Sequence, residues 1–171
     1  MLLDFEILNR EIKEFRDSCK SISIASLSPN GEVVISYAPC IESNNNYYIY
    51  ISEIAPHFES IKANPNNIEI MFIQDESKAN SIFARARLTY RVEAIFIQRD
   101  SDQFDLIFDE FQNKNNDSSE IGTLRNMRDF HLIRLNFNNG RFIKGFGKAY
   151  DICGKTISHI NPKNPHKFEV K

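Results

Sequence analysis

The densest basic feature of the sequence is the segment Phe83-Ala-Arg-Ala-Arg-Leu-Thr89, which carries Arg85 and Arg87. If this segment enters a β-strand, the two arginines point to the same face because strand side chains alternate with period two. Two guanidinium groups on one face can hold a phosphate or carboxylate through charge-assisted, often bidentate hydrogen bonds. Arginine pairs are also found at solvated strand ends, where they form incidental salt bridges. The spacing leaves an anion site and a solvated strand entrance as alternatives.

Four histidines are the candidate metal ligands, because neutral imidazole binds transition metals, haem iron among them. His57 opens a predicted helix, where a packing or capping role is expected. His131 alternates with apolar neighbours in a predicted strand and is expected to face solvent or a neighbouring chain. His159 and His166 lie in the C-terminal tail, where the residues alone indicate an ordinary chain end.

A short glycine-containing segment is flanked by two basic side chains, since Lys144 and Lys148 enclose Gly145-Phe-Gly147. The glycines could let a flat ligand approach the backbone, or they could mark a bulge that curves the sheet, and the bulge is the preferred interpretation. A third glycine is missing, so the segment does not form a dinucleotide-binding motif. The sequence also contains no phosphate loop, nucleophile elbow or paired-histidine zinc motif.

Composition narrows the class of protein. The 171 residues are enough for one domain with a sizeable core. Lysine and arginine number 21 against 23 acidic residues, a net charge of -2, which argues against a nucleic-acid partner. Three cysteines, an odd number without metal-type spacing, predict reduced thiols. With no basic leader and no long apolar run, the sequence predicts a cytoplasmic protein without a membrane span.

The elements that must position these side chains follow from periodicity and turn chemistry. Residues 138–140, Asn-Asn-Gly, are interpreted as a hairpin turn. Residues 113–119 are expected to be polar and mobile, and the tail from Cys153 to lack regular structure. Helices are predicted at 2–18, 56–63, 100–112 and near 120–126, and strands at 21–27, 33–40, 47–52, 68–73, 88–98, 130–137 and 141–152.

About seven strands in antiparallel hairpins, with helices inserted rather than alternating with every strand, predict an α+β domain built on an antiparallel barrel or sheet. Several segments, in order, resemble the bacterial haem-utilisation proteins related to pyridoxamine 5'-phosphate oxidase, the HugZ/HutZ type. The resemblance covers roughly residues 20–152. It is carried by Ser36-Tyr-Ala-Pro39, Ser52 with His57, Asn64-Pro65, Phe83-Ala-Arg-Ala-Arg-Leu-Thr89 and Gly145-Phe-Gly-Lys-Ala-Tyr150.

The resemblance implies an antiparallel split β-barrel of the FMN-binding split-barrel type with peripheral helices. Residues 1–152 would form this single domain, including the N-terminal helix, and residues 153–171 a tail able to supply a haem ligand. The resemblance also implies a homodimer with two symmetric ligand sites at the subunit interface. In the wider superfamily these sites bind FMN, whereas in the haem-utilisation branch they take haem.

The resemblance also assigns roles to residues. His166 is the first candidate for the axial iron ligand and His159 the second. Asp129 corresponds to an acidic position that can hydrogen-bond the axial histidine across the dimer, which would raise its ligand strength. Arg87, and after it Arg85, would face the haem propionates or the distal pocket, and Lys148 would add a propionate contact. Asp129 and Arg87 are therefore the candidate catalytic residues.

Three functions follow. The leading one is a haem-degrading oxygenase that receives electrons from an unidentified donor and releases iron. The second is a non-catalytic haem carrier or storage protein. The third is an FMN-dependent oxidoreductase that uses Arg85 and Arg87 to bind the FMN phosphate.

Overall fold

The computed structural model describes residues 2–114 and 118–160. Within them the chain forms four α-helices, eight β-strands and two single 3-10 turns. The helices are α1 (Leu2–Ser18), α2 (Pro56–Ala63), α3 (Asp102–Lys114) and α4 (Ser118–Asn126); the strands are β1 (Ser21–Leu27), β2 (Val33–Ser43), β3 (Asn46–Ser52), β4 (Ile68–Ile73), β5 (Arg87–Phe96), β6 (Phe130–Gly145), β7 (Lys148–Cys153) and β8 (Thr156–His159).

Six of the strands close into a barrel. They follow the order β3-β2-β1-β4-β5-β6, and β3 also pairs with β6, which completes the circle. All pairings are antiparallel. Strands β7 and β8 continue the sheet from the second half of β6. The predicted α+β antiparallel barrel with peripheral helices is confirmed.

The barrel interior is filled by alternate side chains of the strands. Strand β1 shows the pattern most clearly, because Ile22, Ile24 and Ser26 are buried while the residues between them are partly exposed. A second apolar cluster lies outside the barrel wall, where α3 packs Phe104 and Phe108 against the β3 and β6 residues Tyr48 and Leu132. Tyr47 and Tyr48 of β3 are both buried, the first in the barrel core and the second in this outer cluster.

Two helices are attached to the barrel through short apolar contacts. Ile12 of α1 is buried in the barrel core, and the Phe15 ring lies 5.4 Å from that of Phe142. Helix α2 begins with Pro56, whose fixed φ suits the first helical turn. His57 follows it and is only 7% exposed, which confirms the packing role. None of the described helices is long and apolar enough to cross a membrane.

The predicted hairpin at residues 138–140 is wrong, because β6 runs without a break from Phe130 to Gly145. Tyr90 faces Gly140 and Val92 faces Phe137, so β6 has one more residue than β5 in this stretch. The extra residue makes a β-bulge, which bends the strand and increases its twist. Asn-Asn-Gly therefore turns a barrel corner and does not reverse the chain.

The tail from Cys153 is not irregular as predicted, at least as far as His159. Gly154 has a φ of 56°, which allows a tight turn that brings β8 back against β7. Eight strands are consequently described, one more than expected. The segment 113–119, predicted to be mobile, includes residues 115–117, which, like His166, lie outside the described residues.

Candidate functional site

Arg87 opens β5 and lies on the outer face of the barrel wall. Along β5 the buried positions alternate with more exposed ones, and Arg87 belongs to the exposed set. It stands opposite Ile73 of β4 and Ile143 of β6. Its Nη1 donates to the carbonyl of Arg85 at 3.4 Å, and among the described residues no carboxylate pairs with it. This guanidinium is therefore available to an anionic ligand.

Arg85 is used differently. It precedes the strand, so the condition for placing both arginines on one strand face is not met. Its Nε and Nη2 donate to the carbonyl of Gln74 at 3.0 and 2.6 Å, and Nη1 lies 3.7 Å from Glu76 Oε2. These bonds close the loop between β4 and β5. Arg85 thus stabilises the approach to Arg87 and has fewer donors left for a ligand.

The turn between β6 and β7 lies near the same end of the sheet. Gly145 and Gly147 have φ values of 146° and 71°, and the β6–β7 register shifts at Gly145. The register shift agrees with the expected bulge, but Phe146 and Gly147 reverse the chain, so the predicted strand 141–152 is wrong and is divided between β6 and β7. A Cβ on Gly145 would lie 4.0 Å from the Ala84 carbonyl, so the turn sits beside the segment that precedes Arg87. Phe146 at the turn is exposed, and Lys148 begins β7.

His159 ends β8 next to this turn. Its Nε2 lies 3.1 Å from the Gly147 carbonyl, and its ring meets Tyr150 edge-on at 5.2 Å. Because a carbonyl oxygen only accepts, Nε2 must carry the proton in this contact. His159 would have to leave Gly147 before Nε2 could bind a metal.

Asp129 lies immediately before β6, at the opposite end of this strand. Ser52 donates to its Oδ2 at 2.6 Å. Phe130 and Ile143, the strand residues nearest to Asp129 and Arg87, are thirteen positions apart, roughly 40 Å along a strand. One chain therefore brings Arg87, Lys148 and His159 to one end of the sheet and leaves Asp129 at the other.

Sequence reasoning missed an apolar stripe on β2. Val33, Ile35 and Tyr37 point outward and are 70%, 79% and 64% exposed. The signal was available, because the run Val-Val-Ile is apolar on both strand faces. Residues paired directly across neighbouring strands point to the same face of the sheet. The β2 stripe and Arg87 of β5 therefore lie on one surface, because successive cross-strand pairs connect Tyr37, Ser23, Met71 and Thr89.

His131 contacts the Glu53 carboxylate, which its position in the strand did not predict. It is 35% exposed, its Nε2 lies 2.7 Å from Glu53 Oε1, and its ring lies 4.8 Å from that of Phe58. The described residues hold no group of three or more metal-ligating side chains.

A closed six-stranded antiparallel barrel, extended by two further strands and flanked by helices, is the architecture of a split-barrel protein. The sequence profile described as pyridoxamine 5'-phosphate oxidase matches residues 8–144, and the chain belongs to this family. It is 37% identical over 150 residues to heme oxygenase HutZ of Vibrio cholerae, covering 88% of this chain and 84% of that protein.

Two solved structures are similar to the chain. Campylobacter jejuni ChuZ superposes with a TM-score of 0.90 at 50% identity, covering 96% of this chain and 67% of ChuZ. The Vibrio cholerae HutZ structure, described as a heme storage protein, gives a TM-score of 0.69 at 34% identity, covering 75% of this chain and 89% of HutZ.

Proposed function

We propose that the protein binds haem between two copies of itself and degrades it oxidatively to release iron. The observation that carries the proposal is the Arg87 guanidinium, which has no carboxylate partner among the described residues and lies on the outer face of the barrel that also carries the apolar β2 stripe. A chain 37% identical to a heme oxygenase is expected to use such a site in the same way. Fold similarity alone would not carry this conclusion, because one fold hosts many functions.

The chemistry of the outer face fits haem. Haem is a flat apolar ring that carries two propionate carboxylates, so its site must offer apolar surface next to cations. Arg87 and Lys148 are the cations at this end of the sheet that have no carboxylate partner among the described residues, whereas Arg85 and Lys144 pair with Glu76 and Glu11. Arg87 is better suited to a bidentate carboxylate contact. The exposed rings of Phe83 and Phe146 are apolar surface in the segments beside them.

The axial ligand is proposed to be His166, with His159 as the second candidate. His166 lies outside the described residues, so this assignment rests on the family resemblance. His159 Nε2 is engaged with the Gly147 carbonyl, which makes it the poorer candidate. One tail histidine would hold the haem through its iron, and the bound haem would supply the oxygen chemistry.

A homodimer would complete the site. Asp129 cannot reach the Arg87 end within its own chain, whereas a second copy placed against the outer face could supply it. The exposed β2 stripe supports this arrangement, because a large outward apolar surface marks an interaction site. Asp129 would accept the N–H of the axial imidazole and hold its tautomer.

Haem, when bound, supplies both the iron and the oxidisable ring, while electrons come from an external donor. The chain contributes position and proton control. Arg87 and Lys148 would orient the propionates, and the apolar stripe would limit water at the interface. Cys19, Cys40 and Cys153 form no disulfide, which supports our proposal of a reducing, cytoplasmic location.

A haemin titration tests the proposal. The visible spectrum of the purified protein is recorded with haemin, then with ascorbate in air. We expect a Soret band that forms at one haemin per chain and is lost as a bile pigment appears. A persistent Soret band would instead support the carrier or storage function, in agreement with the similar HutZ structure, which is described as a heme storage protein.

The FMN-dependent oxidoreductase is the second candidate, favoured by membership of the pyridoxamine 5'-phosphate oxidase family. It predicts a yellow protein with a flavin absorbance band as isolated. A colourless preparation that turns brown with haemin would exclude FMN as the resident cofactor. Arg85 contributes less to this candidate than expected, since Gln74 and Glu76 occupy its guanidinium.

A further inference from the structure

The end of β3 and the start of β6 are joined by a side-chain hydrogen bond. Ser52, the last residue of β3, faces Phe130 in the β3–β6 register, so Asp129 lies just beyond the strand pair. The Ser52 hydroxyl donates to Asp129 Oδ2 at 2.6 Å in a part-buried position. A bond from hydroxyl to carboxylate is charge-assisted and therefore stronger than one between neutral groups.

The direction of the Ser52 hydroxyl is determined by its other contact. A hydroxyl has one proton to donate and lone pairs with which to accept. The Ile54 N–H donates to Ser52 Oγ at 3.2 Å, which occupies a lone pair and leaves the proton for Asp129. The Glu53 N–H donates to the Asp129 carbonyl at 2.8 Å. Residues 52 and 53 thus hold both the side chain and the main chain of Asp129.

One oxygen of Asp129 stays open. Oδ2 is engaged by Ser52, whereas no described group donates a hydrogen bond to Oδ1. The nearby guanidinium of Arg128 pairs with Asp100 at 3.7 Å and does not take this position. A carboxylate held at one oxygen and open at the other is prepared to accept an N–H from another molecule.

We infer that Ser52 is a positioning residue, which holds the Asp129 carboxylate in one rotamer so that Oδ1 meets the axial imidazole of a second copy. The inference rests on the proposed function for the identity of that imidazole. Its physical basis is preorganisation, because a side chain already ordered loses less conformational entropy on binding. Neither periodicity nor motif predicts this role.

The first experiment needs no haem. Three-bond N–Cγ and C′–Cγ couplings of Asp129, measured by NMR, report its χ1 rotamer in the ligand-free protein. We expect single-rotamer values in the wild type and in Ser52→Thr, which keeps the hydroxyl, and averaged values in Ser52→Ala. Ser26→Ala, which removes a strand hydroxyl that has no described partner, is the matched control and should leave them unchanged. Unaveraged couplings in Ser52→Ala would overturn the inference, even if the protein binds no haem.

The second experiment measures the iron–histidine stretch of the ferrous haem protein by resonance Raman spectroscopy. Asp129→Asn should lower the frequency of the iron–histidine stretch. It should also weaken haem binding about 10–100-fold, the usual cost of losing a group that hydrogen-bonds a metal ligand. Ser52→Ala should shift the stretch in the same direction, and Ser52→Thr should restore it.

A double-mutant cycle completes the test. In the Asp129→Asn background, Ser52→Ala should cause no further shift if Ser52 acts through Asp129. An equal shift in both backgrounds would assign Ser52 a structural role only and overturn the inference. Absence of haem binding by the wild type would instead refute the proposed function and leave the coupling measurement to decide the role of Ser52.

Discussion

Gly140 faces Tyr90 across the β5–β6 pair so closely that a Cβ at position 140 would lie 2.5 Å from the Tyr90 ring and from the Thr89 carbonyl oxygen. The contact lies at the bulge where β6 turns the barrel corner. Tyr90 is also stacked on Phe137 at 4.6 Å, so its ring has little freedom to move away. The bend that closes the barrel therefore depends on the absence of a side chain at this position.

Gly140→Ala is expected to destabilise the protein by about 1–3 kcal/mol, the usual cost of overpacking a core. Gly122→Ala in α4 is the matched control, because its Cβ would meet nothing within 4 Å and alanine favours a helix. Urea unfolding measures both variants. Equal stability of the two would show that the β5–β6 contact is not tight.

Arg87→Ala should weaken haem binding about 10–100-fold, because a hydrogen bond to a charged group contributes about 1.5–3 kcal/mol. Arg91→Ala is the control, since Arg91 lies on the same outer face of β5 but is paired in register with Glu69. Haemin titration followed at the Soret band measures both affinities. A larger loss in Arg91→Ala would place the propionates elsewhere on the face.

Ile35→Lys should convert the proposed dimer to monomer at low micromolar concentration. Burying an unpaired charge costs about 2 kcal/mol or more, which corresponds to about 30-fold in Kd. Leu106→Lys is the control, because Leu106 is also exposed, at 54%, but lies on α3, outside the β2 stripe. Sedimentation equilibrium distinguishes the two variants, and a dimeric Ile35→Lys protein would contradict the proposed interface.

The buried His57 predicts a pH dependence of stability. Burial disfavours the charged imidazolium and lowers the pKa of His57 below its ordinary 6.5, while Nε2 has no hydrogen-bond partner among the described residues. The His57 imidazole therefore binds a proton near pH 6.5 in the unfolded chain but not in the folded protein. The free energy of unfolding should be constant above this pH and decrease below it, by at most about 1.4 kcal/mol per pH unit.

Unfolding free energies between pH 5.5 and 7.5 measure this slope. His57→Leu should reduce it, because leucine does not titrate, whereas His159→Gln, at an exposed position of β8, should retain it. An unchanged slope in His57→Leu would assign the dependence to other groups.

Local pattern predicted the elements whose ends are set by nearby residues. The predicted bounds of α1, β1, α2 and β4 agree with the structure, because helical or twofold periodicity is interrupted there by caps, turns or proline. At the first turn, Gly31 takes a φ of 82° and its N–H donates to the Ser28 carbonyl, as its position after Pro-Asn implies. The series of hairpins then indicated an antiparallel barrel.

Tertiary pairing decided the rest. Asn-Asn-Gly at 138–140 has the composition of a hairpin turn, yet both halves of β6 find partners in β5, and this long-range pairing outweighs the local preference. The sequence by itself placed Arg85 and Arg87 together, but only the fold committed Arg85 to Gln74 and left Arg87 open. Ser52 and Asp129 are 77 positions apart, and such contacts arise only when distant strands close a barrel.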